Sequence, residues 1–344
     1  TQVGDSTIYE DYIELYNPNN NTISLDGLYL SDTSDYTLAP LPDVTIGPGS
    51  HLCIDAAGQD GSVPEGQLSV PFSLSENETV SLTRLEKNTA GTASTILLDT
   101  VYIPDSMKIG AVYARTEDGG ETFAQMRPSP GTANQEAALL LEDPTFSQPG
   151  GFYEDAVSLQ IISSSGTTVH YTLDGSDPTT DSPLYSGPLT LTDPSSHSDR
   201  YASHTDITEE DSGYLPPDSP VDKAVVLRAA AFDAAGNSSN ITTATYFIDF
   251  DQKNGYENAA VLSLVTDPNN LFSSETGIYV RGSLYDDAME AGLIYNGLPW
   301  TYLTEYTNYY LEGAEAERPI HIQFFDASRE ETLAQDCGIR IRGN

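Results

Sequence analysis

One stretch of the chain, YTLDGSDPTTDSPLYSGP at residues 171–188, decides the fold of the region around it. Up to Leu173, apolar and polar residues alternate as they do in a half-buried strand. Asp174 and Gly175 then supply a turn, because glycine tolerates a left-handed backbone, and Asp177 with Pro178 fixes the next bend. The stretch therefore predicts a strand, a tight turn and a returning strand.

The same string resembles the repeat of the chitobiase/hexosaminidase C-terminal β-domain. In that family the domain is an accessory β-sandwich beside the catalytic domain and does not carry out hydrolysis. The resemblance covers residues 143–249, except for residues 193–221. That stretch is rich in Ser, Asp, His and Pro and is expected to be a long surface insertion. The resemblance implies an extracellular accessory module.

Residues 1–137 have the pattern of another β-sandwich, because short alternating runs are separated by turns rich in Asn, Gly and Pro. The ordered motifs are YIELYNP at 12–18, LDGLYLSD at 25–32, IGPG at 46–49, FSLS at 72–75 and PSPGTAN at 128–134. Together they resemble the lamin-tail domain over residues 5–136. That resemblance implies an immunoglobulin-like sandwich of the kind found in bacteria on secreted and surface proteins.

Residues 250–344 differ in character from the rest. The apolar run at 259–265 predicts a buried strand, and residues 267–272 predict a short helical turn. Tyr302, Tyr306, Tyr309 and Tyr310 have the spacing of one helical face. Further strands are expected at 318–326 and 337–344. The whole chain is therefore predicted to be mainly β, with two consecutive immunoglobulin-like β-sandwiches followed by a partial mixed α/β segment.

Four motifs of the last segment resemble the opening of a CotH-like spore-coat kinase domain. They are DPNNLF at 267–272, GIYVRG at 277–282, ERPIHIQFFD at 317–326 and GIRIRG at 338–343. The resemblance implies an incomplete domain here, since the nucleotide-contacting and metal-contacting residues of that family come mainly after such motifs. Arg340 and Arg342 alternate with isoleucines and would share one face, where they could meet phosphate or pair with local carboxylates.

The charge of the chain excludes several classes of partner. Lys and Arg total 14 against 52 Asp and Glu, a formal net charge of −38. A nucleic-acid partner is excluded because phosphate binding needs a basic surface, and electrostatic binding of anionic lipid is excluded for the same reason. No apolar run approaches the roughly 20 residues of a membrane span, so no membrane insertion is expected. No secretion signal is visible at Thr1, as expected of a mature, processed chain.

Acidic residues in the quoted turn form a candidate metal site. Asp174, Asp177 and Asp181 lie close together in sequence and could hold calcium through oxygen ligands. The alternative is ordinary turn chemistry, in which an Asp side chain accepts a hydrogen bond from nearby backbone. No cofactor other than a metal ion is considered.

The histidines offer a second metal hypothesis. His197 and His204 could bind zinc with Asp199, Asp206 or Glu209 of the insertion, or these side chains could simply be solvated. His170 and His321 lie in strand-like runs and are interpreted as packing or edge residues. Cys53 and Cys337 are too few for a usual zinc site and are not expected to form a disulfide.

No nucleophile elbow, phosphate loop or HExxH motif occurs in the sequence, so no catalytic residue is assigned. The chain contains 21 tyrosines, which suit strands and also carbohydrate-binding surfaces. We therefore expect a non-catalytic, extracellular or cell-surface binding or spacer region of a bacterial protein, with a cell-envelope component or polysaccharide as its partner. The alternative is the targeting half of a secreted kinase-like phosphotransferase whose active site lies outside these residues.

Overall fold

The chain divides into two compact units, residues 1–140 (unit 1) and residues 141–344 (unit 2). The computed structural model describes residues 2–3, 6–7, 11–56, 58, 66–87, 93–108, 110–136, 138–201, 204, 206–207, 217–256, 258–295, 298–313 and 316–342. Strands far outnumber helices, which confirms the predicted mainly β class. None of the helices in these residues is long and apolar enough to cross a membrane.

Unit 1 is built from short strands. They are β1 (Gln2–Val3), β2 (Ser6–Thr7), β3 (Tyr12–Tyr16), β4 (Ile23–Ser24), β5 (Leu28–Ser31), β6 (Ala39–Pro40), β7 (Thr45–Ile46), β8 (His51–Ala56), β9 (Ser69–Val70), β10 (Thr79–Lys87), β11 (Ala93–Tyr102), β12 (Val112–Arg115) and β13 (Phe123–Met126). The two larger sheets have the strand orders β3-β8-β9 and β11-β10-β5-β6. Strands β1-β2, β4-β7 and β12-β13 form separate pairs.

Side chains from both larger sheets meet in one core in unit 1. Leu30 of β5 and Ile54 of β8 are almost fully buried there, as the alternation of their strands requires. Asn17, which follows β3 in the YIELYNP motif, fixes the position of the end of that strand. Its buried side-chain amide donates to the carbonyl oxygens of Ile46 and Gly47 at 2.9 and 3.0 Å, which fixes the end of β3 against a neighbouring turn.

Unit 2 contains eleven strands in its described residues. They are β14 (Thr145–Phe146), β15 (Gly151–Tyr153), β16 (Val157–Leu159), β17 (Ile161–Ile162), β18 (Thr168–Thr172), β19 (Leu189–Leu191), β20 (Val225–Phe232), β21 (Thr242–Ile248), β22 (Val261–Val265), β23 (Arg318–Phe325) and β24 (Glu331–Ile339). Its α-helices are α1 (Pro268–Phe272), α2 (Gly282–Glu290) and α3 (Trp300–Leu303). Short 3-10 helices cover Phe250–Gln252, Thr304–Tyr306 and Asn308–Tyr310, and one in unit 1 covers Asn134–Glu136.

The first part of unit 2 is a β-sandwich formed by residues 145–248. A four-stranded sheet of order β15-β21-β20-β18 packs its inner face against the pairs β16-β19 and β14-β17. Leu159, Leu227 and Tyr246 have no exposed surface and form the centre of this core. The Tyr246 hydroxyl is still paired, because it donates to the carbonyl oxygen of Gln148 at 2.8 Å.

The turn predicted from residues 171–188 is present, but the returning strand is shorter than expected. Strand β18 ends at Thr172, and Gly175 has a φ of 87°, the left-handed conformation expected of glycine here. The chain returns only as an isolated bridge between His170 and Leu184. Two prolines in the return, Pro178 and Pro183, lack the backbone N–H that a longer ladder would need.

The last part of unit 2, residues 250–342, is called the third segment. Its sheet has the order β22-β23-β24, and α1 matches the predicted helical turn. The expectation of a buried strand at 259–265 is wrong for one of its faces, because only the other face of β22 is covered. Leu262 and Leu264 on the other face are 53% and 47% exposed.

Two further predictions for the third segment are wrong in their boundaries. The strand expected at 337–344 is the end of β24, which stops at Ile339. Ile339 pairs with Arg318, the first residue of the antiparallel strand β23, so β23 offers no partner to the residues that follow. Residues 343–344 lie outside the described residues. The tyrosines at 302–310 do not share one helical face, since α3 ends at Leu303 and two 3-10 turns follow. Tyr302 and Tyr310 are exposed, whereas Tyr306 and Tyr309 are partly buried.

The sandwich core of unit 2 gives a first prediction. Replacing Leu227→Ala removes a fully buried side chain and should lower the free energy of unfolding by about 2–5 kcal/mol. Leu262→Ala removes an exposed leucine of the same unit and should change it by no more than about 0.5 kcal/mol. Urea unfolding followed by tryptophan fluorescence measures this directly, because the single tryptophan, Trp300, lies in unit 2. Equal unfolding midpoints for the two variants would contradict the assigned core.

Candidate functional site

The third segment joins the sandwich of unit 2 through a cluster of phenylalanine rings. Phe325, at the end of β23, is 1% exposed and meets Phe247 and Phe152 edge-on, with ring centroids 5.5 and 5.7 Å apart. Phe152 and Phe247 stack at 4.6 Å, and Phe250 closes the cluster edge-on. Edge-to-face pairs of this kind stabilise a contact beyond the area that they bury. The ring cluster is the apolar half of what we call the junction.

A buried amide forms the polar half of the junction. Gln323 of β23 is 3% exposed, and its Oε1 accepts from the backbone N–H of Thr245 at 2.8 Å. Its Nε2 donates to Glu331 Oε2 at 2.6 Å. A Cβ on Gly150 would lie 2.8 Å from Gln323 Nε2 and 3.0 Å from the carbonyl oxygen of Thr245, so only glycine leaves room for the amide there. The junction therefore satisfies its buried polar groups and fixes one register of β23 on the sandwich.

The residues predicted to bind calcium do not converge as ligands. Asp174 Oδ1 accepts from the backbone N–H and the hydroxyl of Ser176 at 3.1 and 2.5 Å, and its Oδ2 accepts from Arg200 at 2.6 Å. Asp177 pairs with Arg228, which is 8% exposed and also donates to the carbonyl oxygen of Gly175 at 2.8 Å. The geometry favours turn chemistry over a metal site.

Asp181 is exposed, and its backbone N–H donates to the hydroxyl of Thr179 at 3.3 Å. The described residues include no group of three His, Cys, Asp or Glu side chains placed to hold a metal ion. A calcium ion in this turn would have to displace Arg200 and Arg228 from the two carboxylates. Calcium binding therefore stays a prediction, to be tested by titration.

The histidines of the insertion are also not gathered into a metal site. His197 is exposed, whereas His204 stacks on Phe272 with centroids 4.6 Å apart, so the expectation of a solvated side chain is wrong for His204. Asp199 is paired with Lys223 at 2.5 Å. Glu209 lies outside the described residues.

The described parts of the insertion contact the third segment through hydrogen bonds and ring stacking. The sequence did not indicate this contact. The Asp206 carboxylate accepts from Arg281 Nε and from the backbone N–H of Gly282, both at 3.1 Å, and its carbonyl oxygen accepts from the Arg281 N–H at 2.9 Å. Tyr201 stacks on Phe272 at 5.0 Å, beside His204. Tyr201 and His204, aromatic residues within a polar insertion, were the signal in the sequence for this contact.

Two more polar contacts hold the same parts together. Lys253 Nζ lies 3.0 Å from Asp193 Oδ1 and 2.5 Å from the hydroxyl of Ser195, so the start of the insertion is tied to the third segment. Asp267 Oδ2 accepts from the backbone N–H of Asp177 at 2.8 Å, which ties the quoted turn to α1. The insertion and the quoted turn are thus both tied to the third segment.

These contacts shift the pKa values of two carboxylates. Partial burial raises the pKa of Asp174, but the hydrogen bonds from Ser176 and Arg200 lower it more, and the net shift is downward. Burial likewise raises the pKa of Asp193, while Ser195 and Lys253 lower it below its usual value. Both side chains are therefore charged partners at neutral pH rather than proton donors.

The two cysteines are free thiols. Burial, followed by a hydrogen bond to Glu14, raises the pKa of the Cys53 thiol to about 12. Burial also raises the pKa of Cys337. Because thiolate is the reactive form, neither cysteine has the character of a nucleophile.

Comparison with known proteins finds a family match in one part of unit 2. Residues 157–246, from β16 to β21, match the sequence model of the Fn3-associated family. No curated protein matches the chain. Among solved structures, domains 7, 8 and 9 of the S-layer protein SbsC share 14% identity with this chain over 79% of it and 71% of that chain, with a TM-score of 0.13. That structural likeness is too small to carry an argument.

The family match supports the coarser part of the prediction for residues 143–249, namely a β-rich domain of the sandwich type. It covers less than half of the chain and leaves the assignment to the chitobiase/hexosaminidase C-terminal family a prediction. The lamin-tail resemblance of residues 5–136 and the CotH-like resemblance of residues 250–344 also remain predictions.

The buried amide of the junction gives a second prediction. Gln323→Ala leaves the Thr245 N–H buried without its partner and should destabilise unit 2 by about 1–3 kcal/mol. Gln335→Ala, an exposed position on the neighbouring strand β24, is the matched control and should be nearly neutral. Urea unfolding by tryptophan fluorescence compares them, and a Gln323→Ala midpoint equal to the control would refute the role of the amide.

The lowered pKa values give a third prediction. Asp174 and Asp193 stabilise the fold above the unfolded-state pKa of about 3.9, and this contribution is lost as pH falls through their lower folded-state pKa values. The melting temperature of unit 2 should therefore drop below pH 4, and less steeply in Asp174→Asn. Asp181→Asn, which removes an exposed carboxylate, should keep the original pH profile. Identical profiles for all three proteins would show that the Asp174 contacts do not form.

Proposed function

We propose that this chain is a non-catalytic binding and presenting region of a secreted or cell-surface bacterial protein. In this proposal the sandwich of unit 2 carries the third segment in one fixed orientation. The observation that carries it is the junction, where the Phe325 ring and the Gln323 amide are both buried against the sandwich. The similarity of residues 157–246 to the Fn3-associated family adds support for an accessory role.

The junction has the properties that a presenting element needs. A flexible tether would leave the third segment free to rotate, whereas a buried aromatic cluster with satisfied polar groups resists rotation. The hydrogen bonds from Arg281 to Asp206 and from Lys253 to Asp193 add further contacts between the insertion and the third segment. The sequence resemblance of residues 250–344 leads us to propose further that the third segment is the opening of a CotH-like domain.

A polysaccharide or another cell-envelope component is the partner that we propose. The third segment exposes several tyrosine rings: Tyr279, Tyr295, Tyr302 and Tyr310 are 46%, 63%, 61% and 48% exposed. Tyrosine suits contacts with a polysaccharide because its side chain combines a flat apolar ring with a hydroxyl. Ordering this side chain on binding costs little conformational entropy. The net charge of −38 favours a neutral or cationic polymer over an anionic one.

Co-sedimentation with insoluble chitin, cellulose and purified peptidoglycan tests this partner, first with calcium and then with EDTA. We expect saturable binding to one polymer, reduced at least several-fold in a Tyr302→Ala, Tyr310→Ala double variant. Tyr36→Ala removes a ring of similar exposure, 46%, from unit 1 and should bind normally. No binding to any polymer would overturn the polysaccharide proposal, and loss of binding in EDTA would return the Asp174 turn to consideration as a metal site.

A further inference from the structure

Unit 1 contains a cleft of about 940 Å³ that no part of the proposed function uses. All residues of 11–16, in and beside β3, line this cleft, and so do all residues of β12. Successive side chains of a strand point to opposite faces, so a cleft that touches every residue runs along the edge of the strand. The cleft is therefore bordered by the edges of β3 and β12.

The backbone of β3 is open toward this cleft. On either side of β3, the backbone carbonyl oxygen of Asp11 accepts from the Ala56 N–H, and the backbone N–H of Asn17 donates to the Ser50 carbonyl oxygen. The odd-numbered residues of β3 therefore direct their backbone groups at β8. The even-numbered Glu14 and Tyr16 consequently direct theirs away from β8, at the cleft. Within the described part of the chain, neither has a backbone hydrogen-bond partner there.

The backbone of β12 is open in the same way. Thr116 donates to the Thr122 carbonyl oxygen, and the register then pairs the even-numbered residues of β12 with β13. Tyr113 and Arg115 therefore direct their backbone N–H and C=O groups at the cleft, and no backbone partner for them is found among the described residues. One cleft thus lies along two strand edges, on which Glu14 and Tyr16 of β3 and Tyr113 and Arg115 of β12 have no backbone partner among the described residues.

The cleft has apolar walls and an acidic rim. Apolar side chains of the unit 1 core form the walls, among them Ile13, Leu15, Leu82, Val101 and Ile103. The rim carries carboxylates, and they outnumber its basic residues, Arg115 and His51. These carboxylates belong to Asp11, Glu14, Glu76, Asp99, Asp118 and Glu121. Arg115 is itself held by Asp99 at 2.6 Å, so the rim is net negative.

We propose that this cleft binds an extended peptide strand with alternating apolar side chains and basic flanking residues. Addition of a strand to an exposed edge satisfies the open backbone groups, places every second side chain in the apolar walls and matches basic ends to the acidic rim. A lipid or an apolar small molecule would leave the backbone groups unpaired. Since β3 has five residues, the bound strand spans about five residues, or roughly 17 Å. This inference concerns unit 1 and is independent of the function proposed for unit 2.

Hydrogen–deuterium exchange of the full chain tests the proposal residue by residue. The probe is a nine-residue peptide in which threonine and valine alternate between two lysine ends. We expect the amides of Glu14, Tyr16, Tyr113 and Arg115 to exchange freely without peptide and at least tenfold more slowly with it. The amides of Ile13 and Leu15, which face β8, serve as internal controls and should be protected in both states.

Two matched probes and one variant sharpen the test. A peptide with proline in place of the central valine cannot complete the ladder, and one with glutamate ends faces a like-charged rim, so both should protect at least tenfold less at equal concentration. Tyr16→Pro removes an N–H that faces the cleft and should weaken binding at least several-fold, with protection of Ile13 and Leu15 showing that the strand still forms. Protection of Glu14 and Tyr16 before any peptide is added, or no protection by the lysine-ended peptide, would overturn the proposal.

Discussion

The contact of β23 with the sandwich is the interaction on which the rest of unit 2 depends. Residues of this strand alternate, so Phe325 and Gln323 reach the sandwich while Phe324 and Ile322 face the other way. The ring of Phe325 supplies apolar burial, and the amide of Gln323 occupies the space that Gly150 leaves beside Thr245. An apolar contact alone would tolerate sliding, whereas an amide that must meet one backbone N–H permits a single register.

Ion pairs of lysine and arginine side chains connect distant parts of unit 2. The chain has only 14 Lys and Arg residues, and in unit 2 many of them pair with an aspartate from a distant part of the sequence. Exposed pairs of this kind contribute little to stability. Arg228 and Lys253 are different, because both are largely buried and each makes a further hydrogen bond. Removing either would take away the cationic partner of an aspartate and leave another polar group without that bond.

The sequence predicted what depends on neighbouring residues and missed what depends on distant ones. Strand alternation placed β18, β20 and β23, and the Asp-Gly pair placed the turn at Gly175, since both are local effects. The sequence did not show that Arg200 and Arg228, which come from outside the turn, pair with Asp174 and Asp177 of the candidate calcium site. The hydrogen bond between Asp206 and Arg281 joins positions 75 residues apart, and the residues around each position in the sequence do not predict this pairing.

The uncovered face of the third-segment sheet has a consequence for how the protein behaves in concentrated solution. Leu262, Leu264 and Leu333 present leucine side chains to water on one side of a sheet whose two outer strands are also edges. Such a surface favours self-association, and the net charge of −38 opposes it by repulsion between molecules. Because the range of that repulsion shrinks to about 8 Å at physiological ionic strength and about 3 Å at 1 M salt, the colloidal stability of the protein is set by its ionic surroundings.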